Sequence, residues 1–142
     1  MDAIALRPRL VSFRVVSYSG RNDIAASGQP VEISLEVTNQ IELDLRVPDE
    51  EGHPLQAFVM IRMKGRAFMP KQPDENVGEF EASYEARFVY PIEAAEPEVS
   101  PRFEREAYQY TLVAQVFTLA SSHFRRELMA MGLDSRNLPL GL

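Results

Sequence analysis

SPRFEREAYQYTLVAQVFTLASSHFRRELMAMG, residues 100–132, decides the fold, because both of its ends carry the punctuation of a helix. Ser100 offers a side-chain oxygen to the first free N–H groups, and Pro101 stands where a missing donor costs nothing. Gly132 supplies the left-handed stop, Glu104 and Glu106 lie near the positive end of the dipole, and Arg125 and Arg126 lie towards the negative end. These signals predict one C-terminal helix over residues 101–131. At a rise of ~1.5 Å per residue it would run roughly 47 Å, past the ~30 Å width of a small domain, so it must reach beyond its own domain or bend around it.

Between Ala107 and Phe124 there is no Asp, Glu, Lys or Arg. Phe103, Ala107, Tyr110, Ala114, Phe117, Ser121, Phe124 and Leu128 follow one three-to-four stripe, while Leu112, Val116 and Leu119 extend along another. A helix apolar over most of its circumference is buried on more than one side. Gln109, Gln115, Ser121, Ser122 and His123 argue against a membrane span. The reading is therefore a helix with one face on its own sheet and another on a second copy, with Tyr110, Ala114, Phe117, Ser121, Phe124 and Leu128 as the interface between copies.

Upstream the period changes from helical to two. From Val31 to Val47, Val31, Ile33, Leu35, Val37, Ile41, Leu43, Leu45 and Val47 alternate with polar residues, which predicts a half-buried strand with a bend or bulge at Asn39-Gln40. Residues 10–19 read as a first strand, with Val11, Phe13 and Val15 pointing one way and Leu10, Val16 and Tyr18 the other. Residues 20–30 read as a crossing loop and 48–54 as a reversing turn. A third strand covers 55–68, a polar loop 69–78, and a fourth strand 79–92. The tail after Gly132 reads as an extended flap on a neighbour. Strands followed by a helix predict an α+β fold, a four-stranded antiparallel meander backed by one long helix, in a single domain over 1–142.

The 142 residues are 45% hydrophobic and 25% charged, which suits a folded chain, and the net charge of −6 argues against nucleic acid as the main partner. Arg62, Lys64 and Arg66 alternate along a strand and read as a solvated face. Without cysteine, thiolate chemistry and Cys-ligated metals are excluded. The first residues lack a basic start and an apolar run, so no signal peptide is expected and a cytoplasmic location is the default.

Catalysis needs titratable groups gathered in a pocket, and this chain offers few. His53, among Asp49, Glu50 and Glu51, reads as a solvated turn rather than a cation site, and His123 as a satisfied interface residue. No hydrolase elbow, zinc-protease or phosphate-loop motif is present, so no enzyme activity, cofactor or metal is expected. What stands out is apolar surplus. Val16, Tyr18, Phe58, Met60, Phe68 and Met69 lie on or beside faces that alternation gives to solvent. Such a patch is a recognition surface or a contact between subunits, and Met with aromatics suits adaptable recognition.

Gln29-Pro30-Val31-Glu32-Ile33-Ser34-Leu35, the run Val116-Phe117-Thr118-Leu119-Ala120 through Phe124 and Leu128 to Gly132, and the ending Leu138-Pro139-Leu140-Gly141-Leu142 resemble the SecB family of export chaperones. The resemblance covers roughly residues 8–142. It implies a tetramer built as a dimer of dimers and ATP-independent holding of unfolded or non-native polypeptides in apolar grooves. It also implies that Glu32, Glu36, Glu79, Glu81 and Glu85 resemble the acidic face the family offers to SecA. One SecB-like relative instead protects an antitoxin. The alternatives that stay open are a SecB-like module dedicated to a single partner and a binder of small apolar ligands in a closed pocket between helix and sheet.

Overall fold

The computed structural model describes residues 7–24 and 32–134. The second half of the expected crossing loop, residues 25–30 with Gln29 and Pro30, the expected strand start at Val31, and the expected C-terminal flap from Ser135 onward lie outside the described residues. The chain forms β1 (Arg9–Asn22), β2 (Ser34–Arg46), β3 (Gln56–Met69), β4 (Gln72–Val89), α1 (Glu96–Phe103) and α2 (Glu106–Ala130). The strands make one antiparallel sheet in the order β1-β4-β3-β2. The fold is α+β with a four-stranded antiparallel sheet, as the change of period indicates. Only β2, β3 and β4 form a meander, however; β1 lies against β4 and not β2, which is a Greek-key order.

One face of the sheet carries the core, in which several large residues oppose small ones and the central pair, Ile61 and Tyr84, is large on both sides. Phe88 stands across from Ala57, Ala86 across from Val59, Ala82 across from Met63 and Phe80 across from Gly65. On the other side of β4, Phe13 faces Ala86 and Tyr18 faces Ala82. This alternation brings the inner residues of β3 and β4 to near-complete burial. Gly20 and Gly65 flank Phe80 in the same row, and a Cβ at Gly65 would come within 3.2 Å of the Phe124 ring, so the glycine lets α2 approach the sheet.

Two bulges reassign the faces of β1. The register shifts between Leu10 and Ser12 and between Val15 and Ser17, leaving Val11 and Val16 as extra residues. Leu10, Phe13, Val15 and Tyr18 consequently share the inner rows, so Tyr18 is not on the side of Val16 as strict alternation predicted. β2 shows the reverse: its register runs unbroken through Asn39 and Gln40, where a bend was expected. The expected polar loop at 69–78 is mostly strand, because β4 begins at Gln72 and the hairpin irregularities are absorbed at Phe68 and Met69.

The single predicted helix is two. α1 starts at Glu96 with Pro97 in its first turn and Ala95 as an extended cap, so Ser100 is not an N-cap and Pro101 lies inside the helix. The chain resets at Arg105 (φ −78°, ψ 132°), which lets Val99 and Phe103 bury while the Phe103 and Tyr108 rings meet edge to face at 6.3 Å. The bend required by the domain's size is made there. The C-terminal stop is as read. Gly132 has φ +86°, its N–H donates to the Met129 carbonyl at 3.0 Å, and that of Leu133 donates to the Leu128 carbonyl at 3.0 Å, a Schellman ending with Leu133 and Leu128 both buried.

Candidate polypeptide-binding surfaces

The buried stripe of α2 is Leu112, Val113, Val116, Phe117, Ala120, Phe124 and Leu128. It is rotated from the predicted stripe, and it takes Phe117, Phe124 and Leu128 into the chain's own core at 5%, 0% and 1% exposure. Those three have no surface to give a second copy. Of the expected interface set, Tyr110 is 59% exposed, and Ala114 and Ser121 are half-buried. Leu119 at 40% and Met129 at 56% add apolar surface that no period assigned to an interface. The exposed side of α2 is polar but inward-bonded: Thr111 Oγ1 donates to the Tyr108 carbonyl at 2.6 Å, Gln115 to Thr111 at 3.1 Å and Thr118 to Ala114 at 3.0 Å. Such side chains give up less to water when the face is covered.

α2 packs over β3, β4 and β1, so the inner row of β2 is only half covered. Between them lies a groove of about 390 Å³ lined by Asn39, Ile41 and Leu43 of β2 and by Glu106, Gln109, Tyr110 and Val113 of α2. Sequence reading missed this groove. Its residues look like ordinary core positions, and only the placement of the helix uncovers them.

The outer sheet face holds Val16, Phe58, Met60 and Phe68 of the expected client-binding set. Val16 is put there by its bulge at 50% exposure, and Met60 stands at 36%. Both line a depression of about 270 Å³ with Arg14, Gln40, Glu42 and Arg62. Phe58 and Phe68 are half-buried beneath guanidinium groups, with Arg46 4.0 Å above one ring and Arg66 4.1 Å above the other. Met69 sits half-buried at the hairpin, opposite Gln72. Tyr18 is elsewhere: its ring packs edge to face on His123 and Phe124 and its hydroxyl reaches Met131 Sδ at 3.3 Å.

The expected acidic face is a compensated one. Arg66 holds Glu36 at 3.0 Å, Arg21 holds Glu79 at 3.0 Å, Arg14 holds Glu85 at 3.1 Å, and Glu81 stands across from Lys64. A hydrogen bond from Asn76 and the Arg21 guanidinium keep the Glu79 carboxyl below its ordinary 4.5. Glu32 is exposed ahead of β2. In the strand registers the outer rows place Arg9, Arg14, Arg21, Arg46, Arg62, Lys64, Arg66 and Arg87 against Glu36, Glu42, Asp44, Glu79, Glu81 and Glu85, so cations outnumber carboxylates in a chain whose net charge is −6.

Polar groups beneath the helix are paired rather than poised for chemistry. Tyr84 Oη and His123 Nδ1 are 2.9 Å apart, His123 Nε2 lies 3.5 Å from Glu127, and the Tyr90 and Tyr108 hydroxyls share a hydrogen bond. Burial raises the Tyr18, Tyr84, Tyr90 and Tyr108 phenols above their ordinary 10.0. No buried side-chain polar atom is left without a partner, and no metal-holding group of three or more His, Asp or Glu forms, among the described residues. His53 pairs with Glu50 at 3.2 Å in an exposed turn. No helix among the described residues is long and apolar enough to cross a membrane.

An antiparallel Greek-key sheet with a long helix across one face is the SecB-like fold, and comparison with solved structures bears this out. The chain is similar to a SecB-like chaperone of Mycobacterium tuberculosis, solved in complex with a ChAD peptide from the HigA1 antitoxin. The match has a TM-score of 0.50 and 15% identity, and it covers 92% of this chain and 87% of that one. At that identity the likeness is one of fold. No protein-family profile and no curated protein sequence matches the chain.

Proposed function

We propose that this protein is an ATP-independent holdase that captures unfolded or non-native polypeptides on the apolar surface its own fold leaves uncovered. The observation that carries the reading is that surplus. The core is already complete between α2 and the centre of the sheet, yet Val16, Met60, Tyr110, Leu119 and Met129 remain exposed and the groove over Ile41 and Leu43 stays open. Burying such surface is worth about 25 cal/mol per Å² and has no directional requirement, which suits clients without a common sequence. Several shallow sites acting together supply avidity. The reading involves no catalytic step, cofactor or metal.

The uncharged run of α2 from Ala107 to Phe124, which leaves Tyr110 exposed on one flank and Leu119 on the other, supports self-association. A tetramer built as a dimer of dimers, working in the cytoplasm, is the assembly proposed. Three of the five carboxylates expected to meet a SecA-type partner, Glu36, Glu79 and Glu85, are already ion-paired, so the proposal rests on polypeptide capture alone. A second reading, a module dedicated to one client, is favoured by the antitoxin peptide held by the structurally similar chaperone.

The experiment is aggregation of a chemically unfolded test protein without nucleotide. Suppression at near-stoichiometric chain is expected, and none would overturn the holdase. Suppression for one client only, out of several unrelated ones, selects the dedicated module.

A further inference from the structure

β3 is an inner strand of the sheet, with β4 on one side and β2 on the other. From Phe58 its outward line reads Phe58, Met60, Arg62, Lys64, Arg66 and Phe68, three consecutive cations between apolar ends. Alternate side chains on one strand stand roughly 7 Å apart. α2 crosses the opposite face of the sheet, and Arg62 and Lys64 are exposed.

The carboxylates near this line do not neutralise it. Glu36, Asp44, Glu79 and Glu85 are each held by an arginine at 3.0 or 3.1 Å. Arg62, Lys64 and Arg87 hold no ion pair among the described residues. Arg62 has Ser83 across from it on β4 and Gln40 on β2, with Ser17 beyond Ser83, so its row contains no carboxylate. Beside Arg62, Met60 and Val16 line the depression of about 270 Å³, and both are exposed. The two phenyl rings of the line are covered by cations, Phe58 by Arg46 and Phe68 by Arg66.

We propose that this outer face docks an acidic segment of another protein. Carboxylates of that segment pair with Arg62 and Lys64, while a neighbouring apolar side chain enters the depression over Met60 and Val16. The inference goes beyond the holdase reading: it adds a partner selected by charge, although Met60 and Val16 belong to both surfaces.

Charge complementarity selects the occupant. A guanidinium matches a carboxylate with two parallel hydrogen bonds, and an ammonium serves as a point charge. A nucleic-acid backbone needs clustered cations along its whole path. Here Glu79, Glu81 and Glu85 on β4 and Glu42 on β2 interrupt the cations, and the net charge of −6 repels a long polyanion. A short acidic protein segment matches two cations with two carboxylates and brings the apolar side chain as well. A second copy would present the same cation excess on its own outer face, and the two faces repel.

The test uses the full chain and two fluorescent peptides of one length, with Glu or Lys at every second position and one central Leu. The Glu peptide is expected to bind at least tenfold tighter than the Lys peptide at low salt, and to weaken as salt rises. Arg62→Glu with Lys64→Glu is expected to abolish that preference, and Arg62→Gln with Lys64→Gln, which adds no repulsion, to reduce it several-fold. Should the Glu pair not fold, the Gln pair decides alone. Equal affinity for the two peptides, or an unchanged preference in the Gln pair, overturns the inference. So does tighter binding of a single-stranded oligonucleotide of equal charge, or self-association through this face that the Glu peptide fails to compete. Aggregation suppression is read separately: its absence in the unaltered chain fells the holdase and leaves charge-selected docking standing, and the converse result does the reverse.

Discussion

The two faces of this sheet are made by alternate residues of the same four strands, and they are held by different physics. On the inner face the rows set apolar side chains against one another, as Phe13, Ala86, Val59 and Leu43 do across the four strands. On the outer face the rows set charge against charge, with Arg21, Glu79, Arg66 and Glu36 as one example. The contrast teaches where function can sit. Apolar groups at the centre of the inner rows serve stability, whereas Met60 and Val16 on the outer face and Ile41 and Leu43 at the half-covered β2 edge keep surface that can meet another molecule.

Breaking the inner face should cost most. Phe124→Ala empties a fully buried site between α2 and Gly65, and a loss of about 3–5 kcal/mol is expected by chemical denaturation. Gly20→Ala overfills the same face, because its Cβ would come within 2.9 Å of both Phe80 and the Tyr18 hydroxyl; about 1–3 kcal/mol is expected. Alkali should also act on the inner face first. Burial raises the Tyr84 and Tyr90 phenols, so the stability they contribute is whole below pH 10.0 and lost as the pH climbs above it towards their folded-state values. Denaturation monitored by phenolate absorbance should show that onset, and Tyr84→Phe should weaken it.

The outer face should prove forgiving. Arg66→Ala removes an exposed ion pair with Glu36 and uncovers the Phe68 ring, and roughly 1 kcal/mol or less is expected, shrinking with salt. Met60→Ser should shift stability by no more than about 0.5 kcal/mol while reducing client holding, a split that a purely structural methionine would not give.

Much of this was legible in the residues. The alternation from Ile33 to Leu45 and from Phe80 to Phe88 fixed two strands and their wet sides, and Gly132 marked the helix end. Three things were not legible, each because a long-range contact decides it. The place of β1 beside β4 has no local signal, since pairing partners are chosen by the assembled core. Bulges at Val11 and Val16 arise from matching β1 to β4, and they move Tyr18 to the inner face against its parity. The helix stripe was misjudged because an uncharged run offers several apolar lines, and the sheet selects the one through Val116, Ala120 and Phe124. Of the candidate site, Val16 and Met60 were found by polarity, whereas the groove over Ile41 and Leu43 depends on where α2 stops covering β2.

The most direct test is amide hydrogen exchange on the full chain, alone and with a chemically unfolded client. Slowed exchange along 34–46 and 106–113 and around Met60, with the already protected centre of β3 and β4 unchanged, is the predicted result. Slowing confined to β1 or to the 48–54 turn, or no slowing while the client is held, would contradict it.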